Sequence, residues 1–179
     1  MRRLALLIIG AALLFSIACS GVSNVNSATT TPPSTPGPPP PLLVSDSDSS
    51  LQAALGSYCW YAKGASTCAN ATTLLTSREP LVASGEHQLT ASLPGLKITE
   101  VRVYASPAAG ADSQLQADGR IAWTETALGV ELPATIANGG LTIDITPLNA
   151  GQYVVGVSLR VENRGEATYG FLLNKDSLP

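Results

Sequence analysis

The longest regular pattern in this chain is an alternation near its end. Tyr153, Val155, Val157, Leu159 and Val161 fall on one parity; Val154, Gly156, Ser158, Arg160 and Glu162 fall on the other. Successive strand side chains point to opposite faces, so a period of two predicts a β-strand with one buried face. Asn163-Arg164-Gly165 follows, residue types that turn a chain. Ala167, Tyr169, Phe171 and Leu173 then alternate again. The two runs predict a C-terminal β-hairpin.

Shorter runs of the same kind fill the region before it. Leu89, Ala91 and Leu93 alternate ahead of Pro94-Gly95. Leu96 and Ile98 share a parity that Val101 and Val103 have left, which predicts a bulge near Thr99-Glu100. Ile121 and Trp123 follow Asp118-Gly119. Leu128, Val130 and Leu132 precede Pro133, and Leu141, Ile143 and Ile145 follow Asn138-Gly139-Gly140. Ser106 to Ala117 is rich in Gly and Ala and reads as a loop. No window beyond the N-terminal leader carries a sustained helical period. Short strands separated by turn residues predict an all-β fold: an antiparallel β-sandwich, immunoglobulin-like or related, over residues 51–179.

The pattern changes upstream of Leu51. Residues 19–50 are dominated by Ser, Thr, Asn and Pro, including Pro38-Pro39-Pro40-Pro41. This composition buries too little apolar surface to offset chain entropy and predicts a disordered, partly polyproline tether. Asp46-Ser47-Asp48 has the look of half a calcium loop, but the following Gly and Glu are missing, so it reads as a solvated linker end.

At the start, Arg2 and Arg3 precede an apolar run from Leu4 to Phe15, then Ser16-Ile17-Ala18-Cys19. A cationic start, a short apolar middle and small residues before a cysteine predict a signal peptide over residues 1–18. The run is shorter than the roughly 20 residues a spanning helix needs. The form is that of a bacterial lipoprotein signal, with Cys19 as the lipidation site, although Ser16 stands where such signals usually carry Leu. The expected location is extracytoplasmic, on the cell surface or the periplasmic face, with the chain anchored to a membrane through lipid on Cys19.

Charge narrows the partners. Charged residues make up 13% of the 179, for a net charge of −3. Without Arg2 and Arg3, eight basic residues stand against 13 acidic ones, a net −5. The balance is mildly acidic and no basic cluster is visible along the sequence beyond the leader, so neither nucleic acid nor anionic lipid is expected as the main partner. An exported domain with an even pair of cysteines predicts a Cys59–Cys68 disulfide. A loop this short contributes about 2–3 kcal/mol in the chain-entropy account. The competing reading, a zinc site, has only the single His87 to add to the two cysteines. No metal and no cofactor is expected.

Gly56-Ser57-Tyr58-Cys59-Trp60 with Cys68-Ala69-Asn70, and Gly151-Gln152-Tyr153 with Gly165-Glu166-Ala167-Thr168-Tyr169-Gly170-Phe171, resemble the opening and closing segments of a group of bacterial surface lipoproteins of unknown function. Asn70 departs from the acidic residue usual there. The resemblance spans Gly56 to Lys175 at its ends, with a loosely matched middle. It implies a small β-sandwich on a lipid tether and transfers no activity.

Candidate chemistry is sparse. His87 sits in Ser84-Gly85-Glu86-His87, a stretch that reads as a loop leading into a strand, and no nucleophile, zinc-protease or phosphate-loop motif accompanies it. Glu100, Glu125, Glu131, Asp144 and Glu162 fall mostly on outward parity, as solvated strand residues do. The chain therefore reads as a non-enzyme. Tyr58, Trp60, Tyr61 and Trp123 are candidate ligand-binding aromatics, the flat surface a sugar ring stacks on. The plainer alternative buries Tyr58 and Trp60 in the core for their large apolar area. Three functions compete: a structural or interaction module for an envelope protein or wall component, which is preferred; a carbohydrate-binding module; and an envelope hydrolase.

Overall fold

The computed structural model of the chain describes residues 37–85, 87–124 and 129–176. The chain divides by contacts into Met1–Pro32 and Pro33–Pro179, and every described residue belongs to the second unit. The signal peptide, Cys19, most of the tether, Glu86, Glu125 and Leu128 lie outside the described residues.

The strands in chain order are β1 (Leu42–Ser45), β2 (Ser50–Ala62), β3 (Ala65–Ala69), β4 (Leu74–Thr76), β5 (Leu81–Ala83), β6 (Gln88–Ser92) and β7 (Ile98–Pro107). They continue with β8 (Ser113–Leu115), β9 (Ile121–Trp123), β10 (Val130–Leu132), β11 (Ala134–Ala137), β12 (Gly140–Asp144), β13 (Gly151–Val161) and β14 (Gly165–Lys175). The main sheet runs β10-β7-β13-β14-β2-β1-β6-β12-β11, with β3 added on β2 and β5 on β14. Its pairings are antiparallel except β14 with β5. The two strands that end this path, β10 and β11, are consecutive in the chain with Pro133 alone between them. The sheet is thus nearly closed on itself, an all-β fold with barrel-like curvature. Pro133 suits the corner because it has no N–H to offer a ladder, while its carbonyl accepts from the Asp144 N–H at 2.8 Å.

The C-terminal hairpin has the predicted register, Val161↔Gly165 through Gly151↔Lys175. Val155, Val157, Leu159 and Val161 on β13 and Ala167, Tyr169, Phe171 and Leu173 on β14 are all buried in one core. Leu89, Ala91 and Leu93 join them, as do Leu141, Ile143 and Ile145. The predicted bulge is present: β13 residues Arg160 and Val161 pair with Glu100 and Ile98, leaving Thr99 unopposed. Its hydroxyl donates to the Arg160 carbonyl at 3.1 Å.

Three expectations are corrected. The sheet begins at Leu42, inside the stretch read as tether, because Leu42 and Val44 alternate into the core and are fully buried despite their Pro- and Ser-rich surroundings. Asp46 then closes the β1–β2 turn, its carboxylate accepting from the backbone N–H groups of Asp48 (2.9 Å) and Ser49 (2.6 Å). Ser106 to Ala117 is not all loop: β7 extends to Pro107, opposite Tyr153, and β8 lies within it. Val130 is 51% exposed although it shares the parity of buried Leu132, because β10 lies at the end of the strand path.

A second sheet, β4-β9-β8, covers the outer face of β13 and β14. It buries Trp123, Ala108, Val154 and Leu172 in a separate cluster. Gly156 and Gly170, neighbours across β13 and β14, make room for it. Leu74 lies over both, and a side chain at 170 would collide with the Leu75 carbonyl. Glycine inside a strand marks such close backbone approach.

Candidate functional site

The outward parity of β13 places Ser158 and Arg160 on the side of the main sheet left open by the second sheet. Register sets Arg160 directly between Glu100 of β7 and Glu166 of β14, and Glu166 faces Cys59 of β2, which faces Cys68 of β3. One row of side chains therefore crosses five strands. The Arg160 guanidinium donates to Glu100 Oε1 at 3.1 Å and to Glu166 Oε1 at 2.5 Å. The hydrogen bond to Glu166, then the charge of Glu100, raise the Arg160 pKa further above its already high ordinary value. All three side chains remain more than half exposed, so the row contributes pattern more than stability.

The next row is held by a second bulge. Ala167 and Tyr169 pair with Tyr58 and Leu55, so Gly56 and Ser57 together oppose Thr168. Bulges re-aim side chains. Ser57 Oγ accepts from the Ala71 N–H at 2.9 Å and lies 3.2 Å from Asn70 Oδ1, while Thr168 Oγ1 donates to the Ser57 carbonyl at 3.1 Å. These rows line an open groove of about 1130 Å³, bordered by Asn70 near one end and by Thr135 of β11 near the other.

The predicted cysteine pair is joined: Cys59 and Cys68 form a disulfide between directly opposed residues of β2 and β3, and both are exposed. The four candidate aromatics are not brought together. Trp60 is 4% exposed in the main core, with half-buried Tyr58 packed against that core. Trp123 is 8% exposed in the other cluster, its indole N–H donating to Thr76 Oγ1 at 2.9 Å. Tyr61 alone is well exposed, at 51%. The alternation of β2 accounts for this, since Trp60 and Tyr61 must point opposite ways. His87 lies at the start of β6, its carbonyl accepting from Ile145 N–H, away from the groove and from Ser57.

Two features escaped the linear pattern. Lys175 is 6% exposed, and its ammonium donates to the carbonyls of Ile145 (2.8 Å) and Leu148 (2.6 Å), clamping the end of β14 to the β12–β13 connection. Lys63, Lys97 and Arg164, far apart in the sequence, meet at one end of the barrel around a hollow of about 460 Å³ that Tyr61 also lines. The linear sequence holds no basic cluster; the fold draws these three cations together from distant positions, with Glu162 among them.

No protein-family profile, no curated protein and no solved structure matches this chain.

Proposed function

We propose that this chain is a lipid-anchored, extracytoplasmic binding module, held to a bacterial membrane through Cys19. It engages an envelope protein or wall component through the groove on the outer face of β7, β13, β14, β2 and β3. The observation that carries this reading is the row Glu100–Arg160–Glu166 beside the Cys59–Cys68 bridge. Its charged groups hold one another in place, on a sheet stapled at its edge. A fixed pattern of charge gives a partner register and specificity. Catalysis asks instead for a base or nucleophile within reach of the reacting atom, whereas the hydrogen bonds of Ser57 run to the Asn70–Ala71 turn.

The oxidised pair supports an oxidising compartment, in keeping with a leader that precedes Cys19. The carbohydrate-platform reading is not carried further, because Trp60 and Trp123 are buried in separate clusters. A photo-crosslinking residue placed at exposed Ser158, in the groove, tests the proposal on intact cells. A discrete adduct from position 158, with none from a control at Val82, is expected. No adduct from 158, or the same adducts from both positions, would overturn the groove as the binding surface.

A further inference from the structure

Strand directions sort the charges of this domain to opposite ends. The β2–β3 turn carries Lys63, the β6–β7 connection carries Lys97, and the β13–β14 turn carries Glu162 and Arg164. Antiparallel pairing puts all three at one end. They are knit by backbone hydrogen bonds: Tyr61 N–H to the Arg164 carbonyl (2.6 Å) and Glu162 N–H to the Lys97 carbonyl (2.9 Å). Lys97 pairs with Glu162 at 2.9 Å, while among the described residues neither Lys63 nor Arg164 forms an ion pair. Tyr61 stands among them, half exposed.

The other end is acidic. Asp46 and Asp48 lie in the β1–β2 turn, Asp144 ends β12, and Asp176 follows β14. The one lysine there, Lys175, is buried with its ammonium spent on two carbonyls.

The direction of the chain entering the domain is also fixed. Leu42 pairs with Ala53, and the Pro40 carbonyl accepts from the Tyr169 hydroxyl at 2.7 Å. Tyr169 is paired with Leu55. β1 starts at Leu42 opposite Ala53 and ends at Ser45 opposite Ser50, so the chain enters β1 on the side away from the acidic β1–β2 turn. An exposed tyrosine among lysine and arginine is the side-chain set found where proteins meet the membrane–water interface.

We infer that the Tyr61–Lys63–Arg164 tip is a membrane-facing contact that takes the phosphate groups of anionic phospholipids and holds the tethered domain upright. This inference rests on the anchoring read at Cys19. Two unpaired cations, at about 1 kcal/mol each, favour tip-down over tip-up on an anionic surface by about thirtyfold. That is too weak to recruit a free protein and sufficient to orient one already tethered. The acidic end is repelled in the same field, and the groove is left on the flank, clear of the lipid.

The test supplies the tether chemically. With Cys59 and Cys68 oxidised, Cys19 is the single thiol of the chain beginning there, and it couples to a maleimide-bearing lipid in vesicles. A nitroxide-labelled lipid then broadens the amide signals of whichever end lies against the bilayer. On phosphatidylglycerol vesicles at low salt, Tyr61, Lys63 and Arg164 are expected to broaden strongly, and Asp46 and Asp144 to be spared. The contrast should fade on phosphatidylcholine, in high salt and in K63E/R164E. Equal broadening of both ends on phosphatidylglycerol, or a contrast indifferent to salt and lipid charge, would overturn the inference. A free domain that also binds inorganic phosphate at the tip, with no orientation on vesicles, would assign the cations to a soluble anion and overturn it too. Chemical coupling makes the result independent of acylation in cells, so the failure of the tip and the failure of the anchor are distinguishable.

Discussion

Single side chains close the polar accounts of two buried regions. Trp123 and Thr76 are both buried, and their hydrogen bond lets an indole N–H sit beneath the small sheet. Thr76→Val keeps the shape and removes the acceptor, so it should cost about 1–3 kcal/mol in chemical denaturation, the cost of an unsatisfied buried donor. Tyr169 makes the companion case, its ring fully buried and its hydroxyl on Pro40. Burial pushes its phenol far above the ordinary tyrosine value, so it stays a neutral donor throughout the physiological range. Two carboxyls, exposed Asp118 and half-buried Asp144, set an acid response. Asp144, through its hydrogen bonds with Thr146, and Asp118, through those with Arg120, lie below the ordinary value of 3.8. A lowered folded-state pKa means that the unfolded chain takes up protons first. The stabilisation is present above the ordinary value and is lost as pH falls through the folded ones. Denaturation midpoints followed downward from neutral pH should drop on this acid limb, and drop less steeply in D118N/D144N; an unchanged slope would contradict the assignment.

Elements are placed by what lies on both sides of them. Gly170 of β14 has the Leu75 backbone against one face, so Gly170→Ala overfills the contact between sheets and should cost about 1–3 kcal/mol or more. Gly140 of β12 has only ordinary contacts, the nearest at 3.6 Å, and Gly140→Ala should stay within about 0.5 kcal/mol of the parent. Comparable losses at the two positions would mean that the small sheet does not bear on β14. The same pair of positions shows what the sequence makes legible. The alternation of β13 and β14 exposes their inner face plainly, since Val155, Val157, Tyr169 and Phe171 answer to one core. The outer face is harder, because Val154 and Leu172 are buried by β4 and β9, three-residue strands too short to show a period. β1 is hidden for a different reason: its two core residues, Leu42 and Val44, sit among prolines and serines whose composition dominates any window.

At the scale of the whole molecule, function depends on which distant residues the nearly closed sheet aligns. Parity places Glu100, Arg160 and Glu166 outward, but their meeting depends on how β7 and β14 register against β13, which no linear pattern carries. The tip cations come from three turns and have no linear signature. The charge polarity along the strands, the entry of the chain into β1 from the side away from the acidic turn and the groove on the flank fit the proposed arrangement, a module standing on a membrane and presenting its side. Everything in that arrangement requires export. The most direct measurement is the intact mass, with thiol counting, of the protein extracted from cell membranes. The account predicts a chain that begins at Cys19, carries acyl groups there and has no free thiol at Cys59 or Cys68. A chain that keeps Met1, comes from the cytosolic fraction and reacts at all three cysteines would contradict it.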